Sequence, residues 1–407
     1  MQVMVTDTAF PHPDTGTPET GSGTDLSGAL AAQVSQACAS GTRLRVRGGG
    51  SKDFYGEPLS GQVLDMAGHR GVISYEPSEL VVTVRAGTPL AELEALLATQ
   101  GQCLPFEPPH FGPVATVGGM VASGLSGPAR ASVGALRDFI LGVKIINGRG
   151  EVLTFGGQVM KNVAGYDVSR LMAGSWGTLG LITEVSLKVL PVAPAEATLM
   201  CAGLPQKTAL DLLHRWGGQP LPLNASAWVR DTTAQPVADY LFVRLRGAVA
   251  AVQSATTRMT ADAAALGAQV TVMDKAEAAA DWQASGEQTL PFFEAPAPDA
   301  CLWRLSLPQT APVLDVPGLA HPSPYIEWQG AQRWLWAPAS AAVPLRELAQ
   351  SVGGHATLFR ASAAHAEVDK IAGVNTPLDA VQERIQRQLQ QQFDPKGVFA
   401  TGRMHPI

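Results

Sequence analysis

Apolar residues recur along the chain in two rhythms. From Asp25 to Ala39 (DLSGALAAQVSQACA) they fall at helical spacing behind an Asp suited to capping, and Gly41 ends the run. Arg43 to Arg47 alternates instead, as a short strand does, and Val63–Met66 and Leu80–Arg85 (LVVTVR) are further β-branched strands. Thr88 and Pro89 predict a helix start, with a hydroxyl cap and Pro at the first helical position; Leu90, Leu93, Leu96 and Leu97 line one face as far as Gly101. Val143–Ile146 and Glu151–Phe155 flank Asn147-Gly148-Arg149-Gly150, a hairpin signal, and Leu181 to Leu190 alternates until Pro191. Between the early and late strands, Leu104 to Gly134 repeats Pro and Gly with no regular apolar period. That predicts a long irregular segment of the kind that carries function.

Beyond about residue 193 the chain becomes Ala-rich, with strand patterns at Ala225–Val229 and Tyr240–Leu245 and a helical pattern near 250 to 266. Residues 285 to 324 are loops around a strand at Leu302–Leu305, and Leu378 to Gln391 is a polar, Gln/Arg-rich helix followed by FDPKGVFATGRM. Seven of the eight tryptophans lie beyond residue 200, which predicts a second core. Strands and helices mix without a regular βαβ repeat, so the fold class is α+β. A chain of 407 residues is long for one core. The expected division is a flexible segment at 1–24, a first domain at 25–193, a second at 194–376, and a final stretch, 377–407, that returns to the first.

Composition narrows the function classes. A net charge of −6 without any block of Lys and Arg argues against nucleic acid as a partner. The four cysteines stand at 38, 103, 201 and 301, too far apart in sequence for a metal clip or ferredoxin-type cluster motif, and are expected to be free thiols in a reducing compartment. Electrons handled by this chain would therefore leave to another protein. No basic start with a hydrophobic stretch marks a secretory signal, and no apolar run reaches the ~18 residues of a membrane span, so the expected location is cytoplasmic.

The candidate chemistry lies in glycine loops. In RGGGSK (Arg47 to Lys52) successive glycines can turn several N–H groups into one concavity, and Arg47 and Lys52 add charge. The order Ser-Lys is not that of a Walker loop, and no G-x-G-x-x-G opens a helix here. Taken alone, RGGGSK suits a tight turn as well as an anion site. A second cluster runs from Thr116-Val117-Gly118-Gly119 through Gly124 to Gly127, and a third, GSWGTLG, leads from Gly174 into the strand at Leu181. Three such loops in one domain point to one cradle, without naming its ligand.

RGGGSK, TVGGMVASGLSG, KNVAGYDVSRLMAGSWGTLGLITEVSLKVLP and FDPKGVFATGRM together resemble the flavoprotein superfamily typified by vanillyl-alcohol oxidase and p-cresol methylhydroxylase. Within it they are most similar to the FAD-binding E subunits of bacterial glycolate oxidases. The resemblance covers residues 25 to 193 strongly, the terminal motif moderately, and the middle only by length and position. It implies a two-subdomain FAD-binding fold at 25–193 with a smaller α+β cap at 194–376. By the same resemblance Arg47, Gly48, Gly49, Gly50, Ser51 and Lys52 wrap the FAD diphosphate. Thr116, Val117, Gly118, Gly119, Ala122, Ser123, Gly124 and Gly127 run past the diphosphate and ribityl chain. Gly177, Gly180 and Ile182 contact the adenine end.

The departures from the family pattern carry expectations too. Relatives with covalent flavin often have His just after the first glycines; Ser51 stands there, which implies non-covalent FAD. Trp176 stands where many relatives have Glu, and Ala400-Thr401-Gly402 replaces a common Asn-Pro-Gly. No His pair here matches the H-x-H metal pair of relatives that oxidise D-2-hydroxy acids, so catalytic residues stay unassigned and no metal is expected. His355, Arg360 and His365 lie near one another in sequence and are candidates for such chemistry, but a lone His in an Ala-rich stretch suits a solvated surface better than a site. Lys161, Tyr166 and Asp167 of KNVAGYD suit a structural role near the cofactor. The implied function is the FAD-binding subunit of a glycolate (2-hydroxy acid) oxidase or dehydrogenase. Its implied partners are a larger FAD-containing catalytic subunit and an iron-sulfur subunit, through which it could sit at the inner face of the membrane. The alternatives are a stand-alone alcohol or hydroxy-acid oxidoreductase and a flavin-free scaffold.

Overall fold

The computed structural model describes residues 23–157, 168–233, 235–316 and 323–404. Lys161, Tyr166 and Asp167 lie outside the described residues. Five antiparallel strands form the first sheet, in the order Val72–Glu76, Val81–Arg85, Leu181–Lys188, Ile140–Ile146, Val152–Gly156. Val81, Val82 and Val84 are all buried, so this second strand is covered on both faces and its apolar run needs no strict alternation. Helices Ser27–Ser40 and Leu90–Ala98 contribute Leu30, Val34, Leu90, Leu93 and Leu97 to the same core. Near the chain's end, Asp394 accepts the backbone N–H groups of Val398 and Phe399 at 2.8 and 2.7 Å. That turn drives both side chains into this first core.

The second sheet has eight antiparallel strands, ordered Gln269–Val272, Ala195–Ala202, Ala238–Gly247, Leu223–Asp231, Tyr325–Glu327, Gln332–Ala337, Cys301–Ser306, His355–Arg360. Alternation assigns its two faces. Leu199, Cys201, Trp228, Leu241, Val243 and Leu245 meet the helices Gln206–Gly217 and Val249–Ala264 on one side. On the other, Ala225, Ala227, Tyr325 and Trp334 gather with Trp282 of the helix Lys275–Glu287 and with Tyr55 and Leu125 of the first unit. This inward face is the surface on which the two halves of the molecule meet.

Two local expectations change. Pro89 caps the helix Leu90–Ala98 from outside it, and the Thr88 hydroxyl is drawn off to Gly71, accepting its N–H at 2.9 Å. The stretch Leu104 to Gly134 also hides a helix, Val117–Ser123, whose cap Thr116 accepts from the Gly119 N–H at 3.2 Å and which Gly124 ends in the left-handed region. Two glycines give that helix poor intrinsic propensity. Burial of Val117, Met120 and Val121 supplies what propensity does not.

The seam is held by charge. Glu107, at φ +48°, receives Arg244 at 2.7 Å and Arg246 at 2.9 Å, both from the strand Ala238–Gly247. Arg244 is nearly fully buried and also donates to Asn224 at 2.7 Å, while Arg246 continues to Glu196. Glu287 of the second unit reaches back and accepts the His110 and Phe111 N–H groups at 2.8 and 2.7 Å. Removing Glu107 leaves the buried Arg244 guanidinium without its carboxylate, while Arg246 keeps Glu196. Glu107→Ala is therefore expected to destabilise the chain by about 3 kcal/mol, seen as an earlier urea midpoint, because breaking a buried pair typically costs about 3–5 kcal/mol. An unchanged midpoint would show that water replaces the carboxylate at the seam.

Candidate functional site

After the strand Leu44–Arg47 the chain turns through Gly48, Gly49 and Gly50, and the last adopts φ +76°. A Cβ on Gly48 would meet Thr116 Oγ1 at 2.3 Å, and one on Gly49 would meet the Val114 carbonyl at 1.5 Å. The first glycine loop thus lies directly on the segment that leads into the helix Val117–Ser123. Contact with that segment leaves the loop's polar groups free. The N–H groups of Gly48, Gly49, Gly50 and Ser51 find no acceptor among the described residues.

The second loop behaves in the opposite way. Val117 N–H donates to Thr88 O at 2.9 Å, Gly118 N–H to Ala86 O at 2.7 Å, and Gly119 N–H to its own cap. Their donors are spent, and Gly118 is needed because a Cβ there would stand 2.7 Å from that of Ala86. This loop shapes a wall. Of these two loops, the first presents a nest of donors of the kind that receives an anion.

Between these loops runs a groove of about 90 Å³. Arg47, Gly48, Gly49, Gly50, Ser51 and Lys52 line it, with Thr116, Gly118, Gly119 and Ala122 from the second loop and Gly177, Gly180 and Ile182 from the third. Val117, Ser123, Gly124 and Gly127 do not. Val117 points into the core, and the Ser123 hydroxyl donates to Met120 O at 2.9 Å inside its own helix. Gly124 lets that helix end against Gly174, where a Cβ would approach within 2.9 Å, and Gly127 lets the chain pass Glu107, whose carbonyl a Cβ would meet at 2.2 Å. Their glycines serve the packing of loop on loop.

Two buried cations face this groove. Lys52 donates to the His110 carbonyl at 3.2 Å, and burial pulls its ammonium down to about 8, partly offset by Glu287. Arg403 donates to the Lys52 carbonyl at 2.6 Å and stacks on Trp176 at 4.7 Å; its Nε has no partner, and burial lowers it to about 10. Neither cation has a carboxylate within ion-pair distance among the described residues. Four open N–H groups and two desolvated cations on one groove suit a diphosphate, which would supply the missing negative charge. The diphosphate end of FAD fits the residues present.

Sequence reasoning passed over Asp53, Met66, Ala86, Trp176 and Arg403, all of which line the groove. Arg403 had a signal, since it lies within the terminal motif FDPKGVFATGRM. Trp176 had one too, standing inside GSWGTLG where many relatives have Glu; the other three had none, Asp53 being placed by its 2.8 Å ion pair with Arg47, and Met66 and Ala86 only by the fold. Trp176, at φ +54°, packs edge-on against Tyr55 at 5.1 Å, and Tyr55 against Phe359 at 4.7 Å. Aromatic rings from both halves of the molecule thus stand next to the groove. His355 is exposed and His365 precedes a short helix, whereas the Arg360 guanidinium stacks on Phe54 at 4.9 Å and donates to Gln288 at 3.1 Å.

Comparison with known proteins agrees with this geometry. Residues 27–156 match the FAD binding domain family. The chain is 43% identical over 381 residues to the glycolate oxidase subunit GlcE of Escherichia coli, covering 94% of this chain and 98% of that one. It is 32% identical over 155 residues to the mitochondrial cytochrome D-lactate dehydrogenase of Arabidopsis thaliana, covering 38% of this chain and 27% of that protein. Among solved structures it resembles alkyldihydroxyacetonephosphate synthase, with a TM-score of 0.64 at 16% identity over 91% of this chain and 73% of the other. That last likeness concerns the fold alone.

The loop contacts make a paired prediction. Gly49→Ala forces its methyl into the Val114 carbonyl and is expected to lower stability by about 1–3 kcal/mol. Gly28→Ala, on the exposed side of the first helix with nothing within 4 Å, should raise it by about 0.4–1 kcal/mol. Thermal melts of the two variants beside the parent check both signs.

Proposed function

The chain belongs to the family of the glycolate oxidase subunit GlcE, and from that premise we propose that it is the FAD-binding subunit of an enzyme converting glycolate to glyoxylate. The observation that carries the site assignment is the groove with four unpartnered N–H groups beside Lys52 and Arg403. Gly48 to Ser51, Lys52 and Arg403 would hold the diphosphate, and Gly177, Gly180 and Ile182 would border the adenine end. Bound FAD supplies the two-electron acceptor for the loss of two hydrogens from the hydroxyl carbon and its oxygen. Ser51 at the end of the first loop supports a cofactor held without a covalent bond.

The word subunit in the relative's name supports assembly with other chains; the partners in this reading are a larger FAD-containing catalytic subunit and an iron-sulfur subunit that takes the electrons on. Isolated cysteines in the sequence favour the same division of labour. No helix among the described residues is long and apolar enough to cross a membrane. We place the chain in the cytoplasm, with contact to the membrane's inner face through those partners. One observation favours a second reading, a flavin-free scaffold. The groove has a volume of only about 90 Å³, below the ~300 Å³ at the lower end of ordinary ligand sites, and Trp176 and Tyr55 stand beside it.

Purification decides between them. The first reading expects a yellow protein whose flavin is released by acid; a colourless chain that takes up no added FAD selects the scaffold. Copurification from native cells is expected to bring iron and a second flavoprotein, with turnover of glycolate confined to the assembly.

Lys52 sets a pH dependence. Because the buried ammonium loses its proton near pH 8, a diphosphate bound above that pH must first draw a proton onto Lys52. FAD affinity is expected to be flat below pH 8 and to fall by up to tenfold per unit above it. In Lys52→Met the affinity should be lower at pH 7 and lose that slope. Fluorescence titration with FAD between pH 6.5 and 9.5 measures both.

A further inference from the structure

A second cleft opens along the seam, with a volume of about 560 Å³, and the glycine loops take no part in it. Arg130 and Arg137 of the first unit form one wall, and Gln309, Trp328 and Ala331 of the second form the other. The Arg130 guanidinium stacks on the Trp328 ring at 4.5 Å. Stacking fixes the plane of the guanidinium and leaves its N–H edge to turn into the cleft. Trp328 is itself held hard. Its indole N–H donates to the Gly127 carbonyl at 3.0 Å, and Trp328, Gln329 and Gly330 take φ values of +53°, +58° and +101° in succession. Two non-glycine residues kept in the left-handed region by their surroundings are the sort of strain that marks a working site.

Charge in the cleft leans positive, with two arginines against one carboxylate, Asp138, which attracts Arg130. Neither Arg130 nor Arg137 has an ion-pair partner among the described residues. Asp138 is the one carboxylate among the lining residues, and its Oδ2 is occupied by the Ala135 N–H at 2.9 Å. Arg130 is repelled by Arg137 and by Arg304. Arg304 lies deeper, among Gln288, Glu327, Gln332 and Gly127, with its guanidinium 5.9 Å from the Tyr55 ring and 5.8 Å from Phe359. A row of three guanidinium groups thus leads from exposed Arg137 through half-buried Arg130 to the interior. Positive charge at Arg130 and Arg137 lowers the free energy of an anion in the cleft.

We propose that this cleft captures a small carboxylate on Arg130 and Arg137. Identifying that carboxylate with the 2-hydroxy acid, or its 2-oxo product, rests on the function proposed above. Two planar forks favour a planar carboxylate, and a free phosphate shares enough chemistry to be the competing ligand.

The test is calorimetric titration of the FAD-loaded full chain with oxalate, and separately with inorganic phosphate. Oxalate is expected to bind the parent, to bind Arg137→Gln about tenfold more weakly, and to be nearly lost in the Arg130→Gln/Arg137→Gln double variant. Arg149→Gln, which removes an exposed arginine paired with Glu151, should bind as the parent does. Arg137 is exposed, so its variant decides the matter if Arg130→Gln fails to fold. No oxalate binding by the parent, or equal binding by Arg137→Gln, overturns the proposal. Phosphate bound tenfold tighter than oxalate overturns the carboxylate assignment. A chain without flavin, or assembled enzyme inert toward glycolate, overturns the proposed function instead. Oxalate binding that still depends on Arg137 would then uphold the cleft.

Discussion

One carboxylate, that of Glu107, sits between Arg244 and Arg246, and the position of the second sheet over the first depends on it. The side chain reaches both guanidinium groups from a backbone in the left-handed region, next to a chain segment that only glycine at 127 allows to pass. Arg244 in turn faces the Trp282 ring at 5.0 Å, so the ion pair and the apolar packing of the seam hold the same side chain. A charge as deep as that of Arg244 stabilises only while its partners are present. Such a joint fixes relative position more firmly than apolar contact alone, because it tolerates one geometry.

Electrostatic logic of the opposite kind governs the glycine groove. There the protein buries Lys52 and Arg403 without carboxylate partners and leaves a run of N–H groups open. Uncompensated burial of this sort costs free energy in the empty chain and returns it when an anion arrives. The two glycine loops divide the task. One offers donors, and the other spends its donors on Thr88 and Ala86 to become a rigid wall. Similar glycine spellings thus produce different chemistry according to what their N–H groups meet.

Most of the first unit was legible in the chain. LVVTVR, the Asn147–Gly150 hairpin and the alternating run from Leu181 all became strands of one sheet, because each carries its own turn signals and period. The helix Val117–Ser123 was not, since Gly118 and Gly119 argue locally against it and burial of three neighbours overrides them. In the second unit QRWLWA and HATLFR escaped notice as strands. Gln332 and Arg333 are polar yet buried, their side chains satisfied by Glu327 and by the Ala311 and Pro312 carbonyls. The polarity of Gln332 and Arg333 breaks the apolar alternation of a strand, and their distant partners are not visible in the local pattern.

By itself the sequence determined that this is an α+β flavoprotein of the glycolate oxidase type, with its cofactor loops in order. Glycine spacing and flanking strands are local features, and the chemistry they permit follows from the absence of Cβ atoms. Only the tertiary structure decided which glycines face the groove and which, like Gly124 and Gly127, merely let one loop cross another. It also brought Arg403 to Lys52 from 351 positions away in sequence, and set Arg130 against Trp328 across the seam. Those pairings depend on charge, burial and close approach in three dimensions, and nothing in the order of residues along one segment encodes its distant partner.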